Sequence, residues 1–189
     1  TCISARTAIA VNIVAGSNPG VLSGTQTFCA SQGAQFSSTV SGGTWSTSNP
    51  TLLSINPSTG NAQGTSSGPG TVNVIYTMPS SGGCTNPFAT RTVTLIDIPL
   101  NPVNNTPAAN STICAGSTAN LSVNPPASGT NINWFADSIG LSALVFGEFY
   151  TTPVLNSTTS YWVEASNGSN CRSARIKITV NVLPTPVSP

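Results

Sequence analysis

Apolar and polar residues alternate in short runs along this chain, at residues 35–40, 71–76, 91–96, 119–123, 132–135, 160–165 and 174–182. A period of two puts one face of each run inward and the other outward, as in half-buried strands. Clusters of Gly, Pro, Asn and Ser punctuate the runs every ten residues or so, the spacing of a sandwich or barrel. No stretch keeps a helical period over about ten positions. The pattern predicts an all-β fold with helix content near zero.

The stretch 98–110 (IPLNPVNNTPAAN) is rich in Pro and Asn. Proline removes ladder donors and stiffens the backbone, so these residues are expected to form a short linker. That leaves one unit at 17–97 and another at 111–183, with a second Pro-rich linker at 184–189. Each unit is the size of an immunoglobulin-type sandwich. An internal repeat adds a third piece. Residues 2–14 (CISARTAIAVNIV) align without gaps on residues 171–183 (CRSARIKITVNVL). The second segment reads as the last strand of the second unit. Residues 1–16 are therefore expected to be an orphan last strand, belonging to a preceding or neighbouring domain. A lone strand cannot satisfy its backbone or bury its apolar face by itself.

Composition narrows the function classes. Of 189 residues only five are basic and four acidic, 5% of the chain, against about 25% in ordinary soluble domains. No apolar run approaches the roughly 20 residues of a spanning helix. The near-zero net charge offers no electrostatic footprint for nucleic acid. Histidine is absent, which removes the commonest general base and the commonest metal ligand. Asp97, Asp137, Glu148 and Glu164 are scattered, with no local carboxylate pair for glycoside hydrolysis and no run of acidic ligands for calcium. No catalytic residue, metal site or cofactor is expected.

Five cysteines in such a chain suggest disulfides, and no Cys-x-x-Cys pair suggests zinc. Cys29 and Cys84 bracket the first unit as Cys114 and Cys171 bracket the second. This parallel placement predicts the bridges Cys29–Cys84 and Cys114–Cys171. Cys2 is left over. Its partner is expected either in a preceding domain of the same polypeptide or, across an inter-subunit bridge, in an identical neighbouring chain.

Residues 41–50 (SGGTWSTSNP), 54–64 (SINPSTGNAQG) and 70–76 (GTVNVIY) resemble bacterial Ig-like group 2 domains. Residues 132–135 (INWF), 149–155 (FYTTPVL) and 157–165 (STTSYWVEA), followed by Cys171, are similar to Ig-like modules that accompany them in large secreted surface adhesins and filament proteins of Bacteroidota. One departure is 141–147 (LSALVFG), more apolar than is usual there. The resemblance implies tandem immunoglobulin-like β-sandwiches with an extra N-terminal strand. It also implies an extracellular, cell-surface location and a structural or adhesive role in a stalk or filament. The alternative is a non-catalytic carbohydrate-binding or spacer module of a secreted polysaccharide-degrading enzyme. Neighbouring Ig-like domains, of the same or identical chains, are the expected partners, with surface glycans as a further class.

Three tryptophans and one serine carry further expectations. Trp45 and Trp134 suit the core, whereas Trp162 alternates with an inward Tyr161 and is expected to be an exposed contact residue. Ser138, within Asp137-Ser138-Ile139, fits an O-glycosylation signal of the same bacterial group.

Overall fold

The structure, a computed structural model, describes residues 6–12, 16–65, 68–80 and 85–184. The described residues form seventeen short strands and one four-residue helix, so the fold is nearly all-β. They cluster into two compact units, one of residues 1–27 and 32–95, the other of residues 28–31 and 96–189.

In the first unit, β1 (Leu22–Ser23) pairs with β4 (Ser37–Ser38). β3 (Gly33–Gln35), β7 (Asn61–Gly64) and β6 (Leu53–Ile55) make a three-stranded sheet. A four-stranded sheet runs in the order β2 (Thr27–Cys29, of which only Thr27 falls in this unit), β9 (Phe88–Ile96), β8 (Gly70–Thr77) and β5 (Thr44–Thr47). Alternation drives the packing. Val72, Val74 and Tyr76 of β8 and Val93 and Leu95 of β9 are buried with Phe36, Trp45 and Leu53. Trp45 lies across from Tyr76 in register, their ring centroids 4.5 Å apart. The run 35–40 is not one strand. It breaks at buried Phe36, and the pieces on either side, β3 and β4, pair with different partners.

The second unit is a sandwich. Its larger sheet runs in the order β11 (Thr112–Cys114), β17 (Ile176–Leu183), β16 (Thr159–Ser166), β13 (Asn131–Phe135) and β14 (Val145–Phe146). β11 joins β17 in parallel, while β17, β16, β13 and β14 pair antiparallel. The smaller sheet holds β10 (Val103–Asn104), β12 (Asn120–Asn124) and β15 (Phe149–Thr151). Between the sheets lie Leu121 and Val123 against Ile132, Trp134, Val163, Ile178 and Val180. Residues 98–110, expected as a short, semi-rigid linker, carry β10, which pairs with β12, and most of the helix α1 (Ala108–Ser111).

The cysteine pairing differs from expectation. Cys29 is bonded to Cys171, with their Cα atoms 5.5 Å apart. Cys114, expected to pair with Cys171, is a free and exposed thiol at the end of β11. Cys84, expected as the partner of Cys29, and Cys2 lie outside the described residues. A bridge needs Cα atoms within about 7 Å, a condition that parallel placement in sequence does not guarantee. Residues 6–12, the middle of the expected orphan strand at 1–16, form no strand and are exposed throughout.

Candidate functional site

The outer face of the larger sheet in the second unit departs from simple alternation. Residues opposite the core should meet water, yet Asn133 and Phe135 of β13 and Glu164 and Ser166 of β16 are all buried. Two arginines engage this face, and one of them ties it to the loop at 136–144. Arg175, just before β17, donates from Nε to Glu164 Oε2 at 2.8 Å, and Arg172 donates from Nη1 to Glu164 Oε1 at 3.0 Å. The Arg175 guanidinium also lies over the Phe135 ring, 3.4 Å from its centroid. Its remaining donors reach the carbonyls of Asp137 at 3.1 Å and Gly140 at 2.7 Å. One side chain thus ties a sheet carboxylate, an aromatic ring and a loop together. A rigid guanidinium fork can make all these contacts at once, which a lysine ammonium cannot.

The neighbouring polar groups are satisfied as well. Asn133 Nδ2 donates to Ser166 Oγ at 3.1 Å. Ser173 Oγ accepts from the amide of Ala165 at 2.9 Å and donates to the Ala174 carbonyl. No buried side-chain nitrogen or oxygen among the described residues lacks a partner. Glu164 is the one buried charged residue there, and two cations hold it. Both oxygens of this buried carboxylate are engaged, and removal of one partner would leave its charge uncompensated.

Below this face, Trp134 sends its indole N–H to the Gly147 carbonyl at 2.9 Å, where the chain crosses from β14 to β15. Gly147 has a φ of +113°, which suits glycine at this crossing. On either side of it Phe146 and Phe149 stand exposed, 74% and 73%. They line a groove of about 680 Å³ together with Asn131, Asn133, Asn170 and Arg172. Ile139, Leu141 and Leu144 are also exposed.

Of the residues singled out in the sequence, Trp45 and Trp134 are buried. Tyr161 points inward, but Trp162 is half-buried rather than open, with the Lys177 ammonium 5.8 Å from its ring centroid. Ser138 is exposed in a turn whose Asp137 carboxylate accepts the amides of Ile139 and Gly140. Those backbone donors hold the Asp137 carboxyl below its ordinary pKa, with Arg175 adding to the effect. Burial, and then the neighbouring Tyr150, push the Tyr161 hydroxyl up to about 12. Among the described residues no three His, Cys, Asp or Glu side chains converge as metal ligands would, and no helix is long and apolar enough to cross a membrane.

Glu164, Arg172, Arg175 and the pair Phe146 and Phe149 were not singled out as a site. One signal for the arginine was present: Arg6 and Arg175 recur in register in a chain with almost no charge.

No curated protein matches the sequence. Among solved structures, domains 4 and 5 of the S-layer protein SbsC share 16% identity over 90% of this chain and 100% of theirs, with a TM-score of 0.34. The fibronectin(III)-like modules of CbhA from Clostridium thermocellum share 12% identity over 93% and 96%, with a TM-score of 0.41. At such scores these likenesses add nothing to the strand order described above. Residues 99–184 match the family model described as Ig-like domain, CHU_C associated, and the second unit is thus similar to that family and has the build of an Ig-like β-sandwich.

Proposed function

We propose that this chain is a non-catalytic structural piece of an extracellular surface stalk or filament, built from repeated Ig-like modules fastened by disulfides. The observation that carries this reading is the engagement of Glu164. The buried carboxylate of the second unit binds Arg172 and Arg175 and holds the 136–144 loop to the sheet, leaving neither oxygen for acid–base chemistry. The low charge, the match of residues 99–184 to an Ig-like model and the Cys29–Cys171 bridge agree with it. Neighbouring modules are the natural partners, and exposed Ser138 is the position proposed for an O-linked glycan.

A second reading has one observation behind it. Phe146 and Phe149 stand at a groove lined by amides, and exposed rings beside hydrogen-bonding side chains can hold a sugar. Affinity electrophoresis in gels containing bacterial and plant polysaccharides separates the two readings. The structural reading expects equal mobility with and without polysaccharide. Retardation abolished by Phe146→Ala with Phe149→Ala would replace it with a carbohydrate-binding module.

A further inference from the structure

Residues 6–12 (Arg-Thr-Ala-Ile-Ala-Val-Asn) are exposed and belong to no strand, with Ile9 at 85% and Val11 at 80% exposure. Their counterparts in the repeat are Arg175 to Asn181, and the structure now shows what each counterpart does. Ile178 and Val180, which match Ile9 and Val11, are 3% and 0% exposed and fill the core of the sandwich. Asn181, which matches Asn12, faces outward and pairs with Thr112 of β11. Arg175, which matches Arg6, grips Glu164, the Phe135 ring and the Asp137 and Gly140 carbonyls. The two core positions and the gripping arginine recur, whereas Ile176, half-buried against the core, is Thr7 in the first segment. Lys177 and Thr179, on the outer side of β17, are replaced by alanines.

We infer that residues 6–12 are a β17-type strand that inserts into an Ig-like module of the second-unit type whose last-strand position is open. The acceptor is defined by its chemistry. It presents an antiparallel edge equivalent to β16, a core slot for Ile9 and Val11, and a buried carboxylate beside an aromatic ring for Arg6. The second unit of another copy cannot serve, because its own β17 fills the slot. Ile9 and Val11 would exchange water for a core, which favours insertion in proportion to the apolar area buried. Seven residues also place enough backbone for a ladder like that between β16 and β17. The inference rests on the modular reading above and names the partner within it.

The test joins residues 99–170 directly ahead of Cys2 of the full chain, so that Cys2 stands where Cys171 stands in the second unit. Amide hydrogen exchange is read at residues 7–12. Fast exchange is expected in the natural chain and roughly a hundredfold protection in the fusion, reduced by Arg6→Ala. A companion fusion carries residues 171–181 in place of 2–12. Protection in the companion but not in the first fusion overturns the inference and leaves the modular reading standing. Should neither added body fold, the natural chain with Ile176→Thr, Lys177→Ala and Thr179→Ala decides, because its β17 then reads as residues 6–12. It is expected to keep the unfolding transition of the second unit within about 10 °C. Loss of that transition overturns the inference.

Discussion

Arg175 and Arg172 bind the same carboxylate from different environments, and that difference decides their worth. The Arg175 side chain is 12% exposed and Arg172 43%, against 5% for Glu164. Removing the covered partner strands a buried charge, uncovers the Phe135 ring and frees the 136–144 loop. Arg175→Ala should cost the second unit about 3 kcal/mol, whereas Arg172→Ala should cost less than about 1 kcal/mol. Denaturant titration of the two variants checks the contrast. Tyr161 supplies a pH dependence. Its folded pKa is raised to about 12, against about 10 in an unfolded chain. The unfolded state therefore loses its proton first. The stability due to neutral Tyr161 is complete below pH 10 and is lost as pH rises from 10 through 12. Thermal unfolding across this range should show the fall, and Tyr161→Phe should flatten it.

Among the elements, the hairpin between β6 and β7 shows how a turn is tied to a core. Asn56 Oδ1 accepts the amides of Ser58 and Thr59 at 3.0 and 2.9 Å, and the amide of Gly60 returns to the Asn56 carbonyl at 3.0 Å. Gly60 sits at a φ of +74°, and a side chain there would run into the Phe36 carbonyl and the Trp45 indole. Gly60→Ala should destabilise the first unit by about 2 kcal/mol, measurable as a lowered midpoint in urea. Much at this scale could be read in advance. The alternating runs that became β8, β9, β12, β16 and β17 place Val72, Val93, Leu121, Val163 and Val180 inward as written. Alternation fails where the outer face is also covered. The alternation within β13 and β16 does not say that Asn133 and Glu164 will be buried, because Glu164 is held by Arg172 and Arg175 beyond the end of β16 and Asn133 by Ser166 of the neighbouring strand. Two-residue strands such as β1, β10 and β14 are likewise set by their partners rather than by their own residues.

For the whole molecule, the bridge matters most. Parallel spacing suggested two local loops, whereas Cys29 and Cys171 enclose a single stretch with a sequence separation of 142. On the chain-entropy model a loop of that length adds about 5 kcal/mol by constraining the unfolded chain. It also changes how the chain bears tension. Force applied at the two ends passes through the bridge, so only the residues before Cys29 and after Cys171 can extend while it is intact. For a stalk or filament, this keeps nearly all of both units out of the path of the force. Single-molecule stretching from the ends, before and after reduction, tests this account most directly. The account predicts short extensions from the oxidised chain and about 480 Å of additional contour length once the bridge is reduced. Extensions of that length from the oxidised chain would contradict it.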